Sequence, residues 1–160
     1  MKILTNIQSN NLAGISRVVF SLMDYLKDNR NIDIVGVDIL ESKNNTKNVK
    51  YKNVKFLRKI IKTDNIGDII RRSKNIEEVA MEFIKIIDYY KNVIKIEKPD
   101  IIIINGTYYI PWCLLRAAKS SKCKIVIHYH GILTKETEHW DDESRKKFFQ
   151  MEKMFINDEY

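Results

Sequence analysis

Hydrophobic positions change their spacing twice within the first part of the chain. Residues 2–7 form a short strand pattern, and residues 32–40 form a second one. Between them, apolar residues recur at helical intervals and make a single stripe: Ile15, Val18, Val19, Leu22, Met23 and Leu26. The chain is therefore predicted to open as strand, helix, strand.

The rest of the chain continues this alternation, although residues 58–74 have no readable period. The pattern predicts a short strand at 54–57, a long helix at 75–97 that Pro99 ends, a strand at 100–105, a helix from Pro111 to about Ser121, a strand at 125–129 and a last helix that Asp141 caps. The two later strands are continuous apolar runs, which is typical of strands buried on both faces.

Strands that alternate with helices predict a doubly wound α/β fold with right-handed parallel crossovers. We expect a three-layer, Rossmann-like domain over residues 1–160, with a mainly parallel sheet in strand order 3-2-1-4-5. In that order the carboxyl ends of strands 1 and 4 flank the topological switch point, and strand 5 lies beside them. Three loops, at 8–17, 105–109 and 130–134, are predicted to converge there.

Composition narrows the class of protein. The chain has 160 residues, of which 44% are hydrophobic and 31% charged, as in ordinary globular proteins. It contains neither a membrane-spanning apolar run nor the apolar core of a signal peptide, so we expect a cytoplasmic protein. Cys113 and Cys123 fit neither a metal site nor a disulfide framework, and we expect no metal.

Positive charge is concentrated between Lys43 and Lys74. This segment has eleven Lys or Arg residues against Asp64 and Asp68, a local charge of +9 in a chain of net charge +7. Such a segment suits an anionic membrane surface or phosphates, but a solvated connection has the same composition. Nucleic acid is not an expected partner because no recognition motif accompanies the charge. The candidate patch comprises Lys50, Lys52, Lys55, Arg58, Lys59, Lys62, Arg71 and Arg72.

The first loop contains one glycine, so it matches neither the dinucleotide fingerprint nor the phosphate loop of nucleotide-binding proteins. Gly14, Ser16 and Arg17 open an amphipathic helix, whose free backbone N–H groups and guanidinium can hold a phosphate. A plain helix start with a solvent-exposed arginine explains the same residues. Both interpretations stay open.

A histidine and a glycine follow the last predicted strand, at the sequence Ile-Val-Ile-His-Tyr-His130-Gly131. Gly131 marks a sharp turn, and an imidazole at a strand end can exchange hydrogen bonds near neutral pH, so we assign His130 to the functional site. His128 is interpreted as a hydrogen-bonded core residue. We expect the two rings to lie on opposite faces of the sheet or to straddle the strand end.

The loop after the strand at 100–105 offers amide, hydroxyl and aromatic groups. Asn105, Gly106 and Tyr108 suit the recognition of a sugar or a small polar ligand. A turn and helix start with the tyrosines packed over the sheet edge is the alternative. We identify no catalytic carboxylate pair and no Gly-x-Ser-x-Gly elbow.

Taken in order, four motifs resemble the N-terminal domain of the group 1, or family 4, retaining glycosyltransferases of the GT-B fold. They are Lys2-Ile-Leu; Ala13-Gly14-Ile-Ser-Arg17-Val-Val-Phe-Ser-Leu, in place of Gly-Gly-x-x-Arg-x-x-x-x-Leu; Lys98-Pro-Asp-Ile-Ile-Ile-Ile-Asn; and the strand that ends in His130-Gly131. Ala13 stands where the family has its first loop glycine.

The resemblance implies an enzyme without a cofactor that transfers a sugar, with retention, from a nucleotide diphosphate sugar to a carbohydrate or lipid acceptor. Gly14 would lie near the donor diphosphate, and His130 would be the catalytic histidine beside the reacting sugar, flanked by Gly131. The family's second, nucleotide-binding domain has no counterpart in these residues, so we expect an inactive fragment. Relatives that act on lipids dock on membranes, which implies a peripheral position at the inner face of the cell membrane. A stand-alone, non-catalytic α/β module that binds a nucleotide or sugar is the alternative.

Overall fold

The computed structural model describes residues 1–7, 14–26, 31–40 and 54–156, and within the second range it describes side chains from Arg17 onward. The elements are β1 (Lys2–Ile7), α1 (Gly14–Leu26), β2 (Asp33–Leu40), β3 (Val54–Ile60), α2 (Ile66–Arg72), α3 (Ile76–Glu82), α4 (Ile84–Glu97), β4 (Ile101–Asn105), α5 (Tyr109–Ala118), β5 (Lys124–His128), α6 (Leu133–Glu136) and α7 (Asp142–Ile156).

The five strands form one sheet in the order β3-β2-β1-β4-β5, and every pairing is parallel. This confirms the predicted α/β fold class and strand order. Because parallel strands end at the same edge of a sheet, the ends of β1, β4 and β5 lie side by side. The register places Asn105 at the end of β4 directly opposite His128 at the end of β5.

Helices cover the two faces of the sheet unequally. On one face, α4, α5 and α7 pack over a large core in which Leu4, Ile102 and Ile104 are fully buried. On the other face, Val19 and Met23 of α1 form a smaller core with strand residues. Parallel sheets need cover on both faces, and α1 supplies it over β1 and β2.

The predicted helix at 75–97 is interrupted at one residue. Phe83, with φ −96° and ψ 12°, separates α3 from α4, and its ring is buried in the large core. Asn75 caps α3 by accepting hydrogen bonds from two backbone N–H groups. Helix α4 ends at Glu97, and its C-cap Lys98 takes left-handed backbone angles, with φ 47°. Pro99 follows and cannot continue the helix.

The prediction that β5 is buried on both faces was wrong. Ile125 and Ile127 pack against the large core, whereas Val126 is 45% exposed and His128 is exposed. The alternation arises because β5 is an edge strand, and no element of the described ranges covers its second face.

Helix α7 closes the large core and carries its own start signal. Asp141 accepts hydrogen bonds from the backbone N–H and the hydroxyl of Ser144, at 2.8 and 2.7 Å, as its predicted capping role requires. Phe148 is fully buried and contacts the ring of Trp140 edge to face at 5.1 Å between centroids.

Two adjacent phenylalanines of α7 give a matched test of this packing. Phe148→Ala is expected to lower the free energy of unfolding by about 3–5 kcal/mol, because it leaves a cavity in the core. Phe149 is 49% exposed, so Phe149→Ala is expected to cost less than about 1 kcal/mol. Urea unfolding of both variants measures the difference, and equal losses would contradict this placement of α7.

Candidate functional site

A pair of asparagines joins the ends of β1 and β4. The backbone pairing of these strands extends from Ile3 to Thr5 on β1 and goes no further. Beyond it, the Asn6 side chain continues the ladder: its Nδ2 donates to the carbonyl of Asn105 at 2.9 Å, and its Oδ1 accepts from the Asn105 N–H at 2.8 Å. A side-chain amide thus replaces a peptide group at the switch point, where the two strands separate.

The side chain of Asn105 faces inward and supports its neighbours. It is 2% exposed, its Nδ2 donates to the Thr5 hydroxyl at 2.6 Å, and its Oδ1 lies 3.3 Å from Nδ1 of His128. Sequence reasoning placed Asn105 against the ligand. In the structure it links β1, β4 and β5, and its contribution to a ligand site is to orient His128.

Gly106 begins the turn from β4 towards α5. Its φ of 86° is strained for residues with a side chain, and its N–H donates to the carbonyl of His128 at 3.0 Å. Tyr108 follows at the N-cap of α5 without a side-chain capping bond. Burial, and to a lesser degree the charge of Glu136, raises the pKa of the Tyr108 phenol. The phenol is therefore protonated at neutral pH and can donate a hydrogen bond.

The two histidine rings lie beside each other, with their centroids 4.1 Å apart. Of the two predicted arrangements, opposite faces is wrong, and the histidines straddle the strand end: His128 is the last residue of β5, and His130 follows it. His128 is also exposed rather than part of the core.

His130 is held in its neutral form. Burial, assisted by the neighbouring His128, lowers its pKa below the ordinary value of 6.5. Its Nε2 atom is buried and has no hydrogen-bond partner within the described ranges. A neutral imidazole with a ring nitrogen unused in this way can donate to or accept from a ligand hydroxyl or phosphate oxygen.

Glu136 is a site residue that sequence reasoning missed. A side chain at Gly131 would overlap the Glu136 carboxylate, so the carboxylate lies directly against this glycine. The charge of Glu136 also contributes, after burial, to the raised pKa of the Tyr108 phenol. Glu136 is the last residue of the short helix α6, and nothing in the sequence indicated its position.

The structure brings together two of the three predicted loops. The loops after β4 and β5 meet through Asn105, Gly106 and His128. The first loop, at 8–13, lies outside the described residues. Gly14 and Ser16 belong to the first turn of α1, and Arg17 is exposed on that helix, so the predicted phosphate contact remains a prediction.

Most described members of the basic segment have acidic partners. Lys55 pairs with Glu97, Arg58 with the buried Asp38, Arg71 with Asp68, and Arg72 with Asp64 and Glu82. Lys59 and Lys62 are exposed, whereas Lys50 and Lys52 lie outside the described residues. Membrane contact by this segment stays a prediction. No helix in the described part of the chain is long and apolar enough to cross a membrane.

A depression of about 430 Å³ lies between α6 and the start of α7. It is lined by Thr134, Asp142, Arg145, Lys146 and Phe149.

Among the described residues, no group of three or more His, Cys, Asp or Glu side chains is arranged to hold a metal ion. The polar groups near the carboxyl edge of the sheet are the neutral imidazole of His130, the phenol of Tyr108 and the carboxylate of Glu136. These groups can form hydrogen bonds with a polar ligand.

Comparison with solved structures places the fold in a known class. The chain is a five-stranded Rossmann-like domain of the kind found in the GT-B-like fold. It matches a UDP-N-acetylglucosamine 2-epimerase at 15% identity and TM-score 0.53, covering 94% of this chain and 40% of that one. An enzyme assigned to the same activity in Listeria monocytogenes matches at 13% identity and TM-score 0.53, covering 94% and 37%.

A third structure, the UDP-GlcNAc 2-epimerase from Methanocaldococcus jannaschii, matches at 16% identity and TM-score 0.50, covering 94% of this chain and 37% of that one. The chain thus spans about two fifths of the length of these neighbours. No protein-family model and no curated protein matches it. At these identities the similarity shows the fold alone, and glycosyltransferases also have this fold.

Replacing His128 tests the coupling of the two rings. In His128→Gln the pKa of His130 is expected to rise towards 6.5 without reaching it, because the charge of the neighbour is lost while the burial remains. The neutral form of His130 stabilises the fold above pH 6.5, and this contribution is lost as pH falls through its lower folded-state pKa.

Titration of the His130 ring protons by NMR measures the shift, and His139→Gln is the control because His139 packs near Trp140 instead. An unchanged His130 pKa in His128→Gln would show that the two rings do not interact.

Proposed function

We propose that this chain is the N-terminal domain of a glycosyltransferase that takes its sugar from a nucleotide diphosphate sugar and transfers it with retention. The observation that carries the proposal is His130, neutral and with its Nε2 unused among the described residues, beside Gly131 at the carboxyl edge of the sheet. Open parallel sheets bind ligands at this edge, next to the switch point. The motif resemblance and the fold of the structural neighbours support the same class of ligand.

In the proposed reaction the donor sugar lies against the ends of β4 and β5. The Nε2 of His130 exchanges a hydrogen bond with the reacting sugar and stabilises the oxocarbenium-like transition state. Gly106 lets the backbone approach the ligand closely, since it has no side chain and takes a backbone conformation that favours glycine. The protonated phenol of Tyr108 provides a further donor. The reaction in this form uses no cofactor or metal.

A second domain is part of the proposal. The structural neighbours are about two and a half times longer than the matched region, which leaves room for a partner domain in proteins of this fold. Groups that hold the nucleotide and stabilise the leaving diphosphate would lie on that domain. Without them the chain alone is expected to bind the donor weakly and to turn it over poorly, since the leaving group lacks a partner.

Epimerisation of the donor is the second candidate function. It is favoured by the structural neighbours, three of which are named as UDP-N-acetylglucosamine 2-epimerases. The two reactions differ in their need for an acceptor: an epimerase converts the nucleotide sugar alone, whereas a transferase consumes it only when an acceptor is supplied. A non-catalytic binding module would bind the nucleotide sugar and convert none of it.

The activity test uses the complete natural protein that contains this chain. Nucleotide sugars, including UDP-N-acetylglucosamine, are incubated with and without carbohydrate and lipid acceptors, and the products are identified by NMR. Donor consumption is expected only with an acceptor, and the transferred sugar is expected to retain its anomeric configuration. His130→Ala is expected to lower kcat by about a hundredfold or more.

His139→Ala is the matched control, since His139 is exposed and packs near Trp140. An unchanged rate in His130→Ala would remove this histidine from the mechanism. Donor conversion without an acceptor would favour epimerisation, and binding without any conversion would favour the module.

A further inference from the structure

We infer that Glu152 is a positioning residue for His130: its buried carboxylate binds the chain on both sides of the His130-Gly131 turn and fixes the imidazole at the sheet edge. That Glu152 holds the turn depends on the structure alone, whereas its effect on turnover rests on the proposed function.

The contacts of Glu152 are made to one short segment. It lies on α7 and is 4% exposed. Its Oε1 accepts from the Tyr129 hydroxyl and from the Leu133 N–H, both at 2.8 Å, and its Oε2 accepts from the Thr134 N–H at 3.2 Å. Tyr129 precedes His130 directly, and Leu133 follows it by three residues, so a single carboxylate holds both ends of the turn.

No other described side chain performs this function. Ile132 occupies the N-cap of α6 and makes no capping hydrogen bond, so the first N–H groups of this short helix depend on Glu152. Leu133 is 1% exposed, and water is therefore not an adequate substitute for its N–H partner. Loss of the carboxylate would leave the buried N–H of Leu133 unpaired and would release the turn.

The carboxylate is ionised in this setting. Burial opposes its charge, but the hydrogen bonds from Thr134, Tyr129 and Leu133 outweigh burial and keep the pKa of Glu152 below its ordinary value. Charged acceptors bind N–H and O–H donors about twice as strongly as neutral ones. The side-chain amide of a glutamine in the same place would be a weaker hydrogen-bond acceptor. Its NH2 group would also face one of these donors and could not accept from it.

The position of Glu152 within α7 allows its hydrogen bonding to be tested separately from the packing of the helix. Glu152 lies inside the apolar stripe of the helix, between Met151 and Phe155 and one turn after Phe148, and these neighbours fill the core. Because Glu152→Gln keeps the volume and leaves the apolar contacts intact, we expect the domain to fold and the loss to concentrate in residues 129–134.

The test begins with the 160-residue chain and needs no substrate. In Glu152→Gln, hydrogen exchange at the Leu133 and Thr134 amides is expected to accelerate about tenfold or more. The NMR titration of His130 is expected to shift towards that of an exposed histidine. Glu143→Gln is the matched control on the same helix, because Glu143 is exposed and pairs only with Lys146 in the described contacts. It is expected to change neither measurement.

Tyr129→Phe is the second variant, since it keeps the carboxylate and removes one donor. It is expected to accelerate exchange at Leu133 and Thr134 less than Glu152→Gln does, and it provides the test if Glu152→Gln does not fold. Exchange and His130 titration that stay at the wild-type values in these variants would overturn the claim that Glu152 holds the turn.

The effect on turnover is measured in the complete protein. Glu152→Gln is expected to lower kcat about tenfold or more with little change in KM, because the donor still binds while the imidazole is misplaced. A wild-type kcat combined with faster exchange would overturn the positioning role. Failure of the wild-type protein to act on any nucleotide sugar would instead contradict the proposed function, and the exchange measurement would still decide whether Glu152 holds the turn.

Discussion

The candidate site depends on the two hydrogen bonds of the Asn6 side-chain amide. Where the backbone pairing of β1 and β4 stops, its two hydrogen bonds to the backbone of Asn105 keep the strand ends together. Buried polar groups need partners, and here each group of the pair supplies what the other lacks. Together with the bonds from Asn105 to Thr5 and from Gly106 to His128, these bonds fix the direction in which the chain leaves β4.

Further contacts connect this asparagine pair to the end of β5 and to His130. Asn105 contacts His128, Gly106 bonds to the carbonyl of His128, and His130 lies beside the His128 ring. Glu152 then holds the far side of the same turn from α7. The turn that carries His130 is thus anchored to the sheet on one side and to α7 on the other.

Much of the fold could be predicted from the sequence because most elements have a period or an end signal, such as the stripe of α1, the cap at Asp141 and the apolar run of β4. The alternation of these strands and helices led to the strand order, whereas the short helices α2 and α6 were not predicted. Burial of β5 could not be predicted in this way, since an edge strand and a central strand have the same apolar run. The position of β5 at the edge of the sheet explains why the side chain of Val126 remains exposed.

The candidate site was predictable where chemistry follows a strand end and unpredictable where it depends on contacts between distant residues. His130 and Gly131 adjoin β5 in sequence. Glu136 and Glu152 reach the turn only through α6 and α7, although a glutamate inside the apolar stripe of α7 is a signal of a buried, partnered carboxylate. The pairing of the basic segment with Asp38 and Glu97 likewise requires the tertiary structure.

We propose that the carboxyl edge of the sheet binds a nucleotide diphosphate sugar beside His130. Titration of the isotope-labelled chain with a panel of such donors, followed by NMR, tests this most directly. Weak, saturable shifts are expected at the amides of residues 105–109 and 128–133 and at the His130 ring, and no such shifts are expected with the free sugar. Saturable binding elsewhere on the domain, with these signals unmoved, would contradict it.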